Sequence, residues 1–300
     1  MVGDKSIIKV DNINLGNITK PASLLIKKIS GAIGTVYRPH EIISLAKAEA
    51  EADVIKTKSQ IEIAELKQRA FSRLAAEEAK KQNNMEQITG KALNLLDKRS
   101  KPQDVDDDWI INFFDKCRFI SDEEMQLLWA KILAGEANSP GSYSKRTIIL
   151  LNSLDKKDAD LLSALCRFVW ISGESYPLVL DLSAQIYSQN GINFSMLTHL
   201  DAIGLIRFDP ANGFQFLRTS ALPLVGWYYN NQPIVITSQN NNPIEIGKAI
   251  FTQTGRELSQ VCTAEPIEAF FKYVFDYWSS KGLILIPPEK LPPNPYPKSK

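Results

Sequence analysis

Histidine and cysteine, which serve most often in nucleophilic triads and zinc sites, are scarce in this chain. Among 300 residues there are two histidines, His40 and His199, and three cysteines, Cys117, Cys166 and Cys262. A Ser-His or Cys-His constellation needs a base beside its nucleophile, and a zinc site needs several His, Cys or carboxylate ligands in close array. Neither pattern is present. The cysteines, odd in number and widely spaced, form no disulfide framework and suit a reducing cytoplasm. His199 has no second histidine nearby in sequence and reads as a partly buried helix residue. No Gly-x-x-x-x-Gly-Lys-Ser/Thr, Gly-x-Gly-x-x-Gly, Gly-x-Ser-x-Gly or His-Glu-x-x-His string occurs. The sequence therefore points to no catalytic residue, no metal ligand and no cofactor, and the expectation is a protein that is not an enzyme.

Carboxylates gather in two places. Asp104, Asp106, Asp107 and Asp108 follow the break at Lys101-Pro102-Gln103 and precede Trp109, where negative charge favours a helix start through the dipole. A metal site is the alternative, but adjacent aspartates on a helix point in different directions. Ser121-Asp122-Glu123-Glu124 has the spacing of a capping box, with Ser121 as N-cap. Met125, Leu128, Trp129, Ile132 and Leu133 then make a buried face, ended by Gly135 and Pro140-Gly141. Further helices start at Ser144 and at Leu154-Asp155.

The elements around these positions define a mainly α chain in five segments. Residues 1–40 form a basic arm, with Lys5, Lys9, Lys20, Lys27, Lys28 and Arg38 against Asp4 and Asp11. Pro21 can open a helix there, with Leu25, Ile29, Ala32, Ile33 and Val36 at helical spacing. Lys20, Leu25, Lys27, Lys28, Ile29, Ile33 and Val36 could lie on an anionic membrane surface; the other reading packs the same stripe internally. Residues 41–100 form a long helix, free of proline and rich in Ala, Glu, Lys, Gln and Leu. Its thin stripe, Ile55, Ile63, Leu66, Ala70 and Leu74, suits pairing with a second copy, the alternative being an intramolecular hairpin bending near Gln82-Asn83-Asn84. The stretch AKAEAEADVIKTKSQ resembles the helical stalks of stomatin-like membrane scaffolds in composition.

Residues 101–171 read as a compact helical domain, and residues 172–262 as a winged-helix-like α+β domain. After a turn at Tyr176-Pro177, the pattern Leu200-x-x-Ile203-Gly204-Leu205-Ile206 ends a helix and enters a wing strand, with Gly204 in the left-handed position. Residues 209–213 then turn and Phe214-Gln215-Phe216 return; 233–237 and 249–252 are further strands, and Thr254-Gly255 enters the next helix. Residues 263–300 hold an aromatic helix and a proline-rich tail.

The string ISDEEMQLLWAKILAGEANSPGSYSKRTIILLNSLDKKDADLL resembles the abortive-infection alpha (Abi-alpha) family of bacterial proteins. A related group of uncharacterised bacterial proteins is similar also upstream, at Arg69-Ala70, Arg73, Glu77-Glu78 and Gln82-Asn83. The matched positions are core and capping residues, so the resemblance implies a fold and a part in defence against phage, and no catalytic residue.

Charge bears on the other functions a winged helix allows. The totals nearly cancel, 35 basic against 34 acidic residues. Between Ser172 and Cys262 the only basic residues are Arg207, Arg218, Lys248 and Arg256, and the candidate recognition helix at 193–203 has none. Phosphate contacts supply much of DNA affinity, so nucleic acid is disfavoured as a partner. The expectation is a cytoplasmic homo-oligomer acting in phage defence, with an anionic membrane surface as a partner under one of the two readings of residues 20–37 and its protein partner unknown. The alternatives are a nucleic-acid-binding regulator and an enzyme with an unrecognised site.

Overall fold

The computed structural model describes residues 19–34, 61–217, 224–237 and 243–286. The chain is mainly helical with a mixed α+β region, and divides into two compact units, Met1–Asn152 and Ser153–Lys300. The expected helical domain at 101–171 is thus shared between them.

In the N-terminal unit, α1 (Lys20–Ile33) opens on Thr19, whose hydroxyl accepts the Ala22 N–H, with Pro21 in the first turn. The long helix α2 (Ile61–Leu93) runs unbroken through Gln82-Asn83-Asn84. The expected hairpin bend is therefore absent. Asn84 is buried and donates to the Arg118 carbonyl (2.9 Å), while Gln82 donates to Glu86 one turn on, so two of the polar side chains that suggested a bend are used without one. A 3-10 turn (Pro102–Asp104) leads to α3 (Asp107–Cys117), capped by Asp106 accepting from Trp109 N–H. Helix α4 (Glu123–Asn138) follows, then α5 (Lys145–Ser153). The cap of α4 is Asp122, which accepts from Met125 N–H, one residue after the expected Ser121. Gly135 does not end α4; it lies inside the helix because the Tyr143 ring sits where a Cβ would be. Trp109, Phe113 and Trp129 form the aromatic centre, with neighbouring ring centroids 5.1 Å apart. Glu136, almost wholly buried, accepts from the Gly141 and Tyr143 N–H groups and so closes the loop before α5.

The C-terminal unit begins with α6 (Lys156–Cys166), opened by a reciprocal capping box between Asp155 and Asp158. A hairpin follows, β1 (Val169–Ser172) and β2 (Glu174–Pro177), turning at Gly173. Tyr176-Pro177 is thus strand, where a turn was expected. After α7 (Gln185–Ser188) and α8 (Phe194–Ala202), Gly204 takes a positive φ of 81° and β3 (Ile206–Phe208) begins, as the pattern predicts. Strand β4 (Phe214–Phe216) does not return along β3. Residues 244–251 supply both partners: β7 (Ile244–Gly247) pairs with β4, and β8 (Ala249–Phe251) with β3. The Asp209 carboxylate accepts the Ala211 and Asn212 N–H groups while its own N–H donates to the Lys248 carbonyl. Its turn therefore joins two strands that pair with consecutive stretches of one segment.

Between β4 and β7 lies a hairpin, β5 (Leu224–Tyr229) and β6 (Gln232–Thr237), turning at Asn230-Asn231, both at positive φ. This is the backbone a tight two-residue hairpin requires. With β9 (Ile284–Ile286) it completes an antiparallel sheet of order β2-β1-β5-β6-β9. Helix α9 (Gln253–Ser259) is capped by Thr252. Helix α10 (Glu268–Ser280) packs its rings on the sheet, Phe271 and Trp278 against Trp170, Trp278 against Trp227, and Phe270 against Tyr229.

Candidate functional site

The two halves of α2 differ. From Asn84 onward its apolar residues, Ile88, Ala92 and Leu93, are buried, and Lys91 donates to Gln126 of α4 (3.0 Å). Residues 65–80 are exposed throughout. Leu66, Phe71 and Leu74 there are 65%, 64% and 51% exposed, and Ala70 lies with them. Ala, Leu, Glu, Lys and Arg favour helix, and Arg73–Glu77 (2.7 Å) and Lys81–Glu78 (2.6 Å) pairs add support. At about 1.5 Å per residue the exposed half is about 24 Å long. Of the expected self-association residues, Leu66, Ala70 and Leu74 share this exposed segment; Ile63 lies in the helix's first turn, and Ile55 lies outside the described residues. Phe71 was missed because it falls at the margin of the stripe.

In α1 much of the apolar stripe packs internally, as the second of the two readings has it. Leu25 and Ile29 are fully buried, Ala22 beside them, against α3 and the 3-10 turn. Lys28 pairs with Asp107 (2.7 Å). Lys20 and Lys27 are exposed, Ile33 half-buried, and Val36 lies outside the described residues.

The acidic run acts at a helix start. Asp106 caps α3, Asp107 pairs with Lys28, and Lys145 approaches Asp106 and Asp108 at 3.5 and 3.6 Å. Among the described residues no group of three or more His, Cys, Asp or Glu could hold a metal ion, and no helix is long and apolar enough to cross a membrane.

Helix α8 exposes Phe194, Ser195, Thr198, His199 and Asp201 and carries no lysine or arginine. His199, about half exposed, is held by its Nε2 to Asp158 Oδ1 at 2.6 Å; the other Asp158 oxygen accepts the Asp155 N–H (2.9 Å). Burial by itself would raise the Asp158 pKa, but the His199 and Asp155 hydrogen bonds and nearby positive charge outweigh it and lower the value. Both carboxylate oxygens serve the junction of α6 and α8. This pair joins positions 41 apart, which sequence spacing does not reveal. None of the three cysteines forms a disulfide; Cys117 is buried, and Cys166 and Cys262 are half-buried.

A second polar hub ties α10 to β7. Glu245 accepts from Tyr277 Oη (2.6 Å) and pairs with Lys281 (3.3 Å), while its carbonyl accepts the Trp278 indole N–H (2.9 Å). Burial first, then the adjacent Glu245 carboxylate, push the Tyr277 phenol well up. Such a phenol keeps its proton and acts as a fixed donor.

The sequence profile of the family described as Protein of unknown function (DUF2806) matches residues 68–275. No curated protein and no solved structure matches the chain.

Proposed function

The chain belongs to the bacterial family DUF2806, and on that premise we propose that it is a non-catalytic protein that self-associates through the exposed half of α2 and acts in phage defence. One observation carries the association: Leu66, Phe71 and Leu74 stand in water on a helix whose other half is packed. Burying such a side chain fully is worth about 1.5–3 kcal/mol, so a few mutual contacts offset part of the cost of joining two chains.

A second copy suits the surface because the segment is self-complementary about a two-fold axis near Ser72-Arg73. Antiparallel pairing there sets Phe71 against Leu74 of the second copy, Ala70 against Ala75, and Lys67 against Glu78, and each contact occurs twice. The defence role rests on the resemblance of residues 120–162 to the abortive-infection alpha family.

Light scattering on the full chain tests the association. The wild type should give a dimer mass and the Leu66→Glu/Leu74→Glu double variant a monomer mass, with unchanged near-ultraviolet circular dichroism. A wild-type monomer at tens of micromolar would sink the reading. The association should persist at high salt, since apolar contacts carry it. For the defence role, efficiency of plating should fall in cells expressing the wild type and recover with the double variant. Tight, salt-sensitive DNA binding lost on changing Arg207 would favour the regulator reading instead.

A further inference from the structure

Helix α10 covers one face of the five-stranded sheet, through Trp170, Trp227 and Tyr229. Side chains alternate across a strand, so Ile171, Tyr228, Pro233, Val235, Ile284 and Ile286 stand on the other face. Pairing sets Ile171, Tyr228 and Pro233 side by side in one row, and Gly226, Val235 and Ile286 in the next. Ile171, Tyr228 and Ile284 are 50%, 49% and 47% exposed, while Pro233, Val235 and Ile286 are half-buried. None of these positions carries a charge. The Tyr228 ring passes 3.5 Å from where a Cβ of Gly226 would be, and so lies along the strand rather than standing off it. The face is thus a flat apolar surface with an aromatic ring near its centre.

The chain leaves the sheet beside this face. Strand β9 sets Ile284 opposite Thr237 and Ile286 opposite Val235, so continuing it would bring Pro288 opposite Pro233. Pro287, Pro288 and Pro233 lack the N–H that a ladder bond needs, and β9 ends at Ile286. Residues 287–297, outside the described residues, include Pro287, Pro288, Pro292, Pro293, Pro295 and Pro297. We propose that this segment docks on the open face of its own chain's sheet as a polyproline II strand crossing β6, β5 and β1, with Tyr228 as its platform. Such a strand makes no internal hydrogen bonds and rests its proline rings on aromatic side chains. It rises about 3.1 Å per residue, and neighbouring strands lie about 4.8 Å apart. Leu291, about 9 Å beyond Pro288, therefore reaches Tyr228 two strands from β9, and Pro292 comes toward Ile171 on the third. Direct linkage gives the segment an effective concentration on the order of millimolar, which favours it over the same segment of a second copy.

Limited trypsin digestion of the full chain provides the first test. Cleavage after Lys290 should be about tenfold slower in the wild type than in Tyr228→Ser, because a docked segment is cut only when it lifts off. Cleavage after Lys298, beyond the docked stretch, should be equally fast in both and serves as the internal control. Circular dichroism on Tyr228→Ser keeps a folding defect separate. The second test leaves Tyr228 in place: Ile171→Cys with Pro292→Cys, in a chain also carrying Cys117→Ser, Cys166→Ser and Cys262→Ser. Mild oxidation should join the two cysteines within one chain, seen as a linked peptide pair in mass spectrometry from protein that runs as a monomer on a non-reducing gel. Equal cleavage after Lys290 in wild type and folded Tyr228→Ser would overturn the proposal. So would the absence of the crosslink, or crosslinks formed only between chains, which would give the face to a second copy.

Discussion

At the scale of single residues, the polar groups that matter are those whose every valence is used. Asp158 caps α6 through the Asp155 N–H and binds His199 of α8. Its folded pKa lies below the ordinary value near 3.8, so its stabilisation is complete above that value and is lost as pH falls through the lower, folded one. Asp158→Asn should lower stability near neutrality by about 1–2 kcal/mol, the usual worth of a cap. It should also flatten the dependence of stability on pH across the acid range, read by urea unfolding at several pH values. Gly255 gives a steric counterpart. A Cβ there would overlap the Leu205 carbonyl oxygen, because α9 lies directly on the chain entering β3. Gly255→Ala should cost about 3 kcal/mol, the upper end for overpacking, seen as a lower denaturation midpoint at unchanged slope. The presence of a glycine at that helix entrance was legible in the sequence; its reason, the carbonyl across from it, was not.

At the scale of elements, the same amphipathic signal leads to different fates. The stripes of α1 and of the exposed half of α2 both read as surfaces that seek a partner. Leu25 and Ile29 of α1 find theirs in α3, and Leu66, Phe71 and Leu74 of α2 find none within the described chain. Periodicity reports that one face is apolar and is silent about what covers it. Antiparallel pairing of α2 predicts which positions come close. Leu74→Cys, on the paired face and close to the proposed axis, should form an intermolecular disulfide under mild oxidation, and Leu66→Cys should not, as read on non-reducing gels. Both variants carry Cys117→Ser, Cys166→Ser and Cys262→Ser. Crosslinking at both positions or at neither would refute the antiparallel register. Strands were legible in part: 233–237 and 249–252 lie close to β6 and β8. β5 and its turn went unseen although Asn230-Asn231 between two apolar runs carries the hairpin signature.

At the scale of the whole molecule, two separate cores divide the five tryptophans. Trp109 and Trp129 belong to Met1–Asn152, and Trp170, Trp227 and Trp278 to Ser153–Lys300. The second core is completed by its own helices and sheet, so a fragment of residues 153–300 should fold alone. Its melt should be cooperative, with strong near-ultraviolet circular dichroism from the clustered rings; a featureless spectrum would count against it. The sequence by itself determined composition and what depends on neighbours along the chain: the scarcity of histidine and cysteine, the helix starts at Asp106 and Asp155, and the left-handed Gly204. Only the tertiary structure decided which stripes are covered, that β3 and β4 share one partner segment, and that Asp158 meets His199. Capping and turn formation are settled within a few residues, whereas burial and long-range pairing depend on which distant segment fills the space opposite.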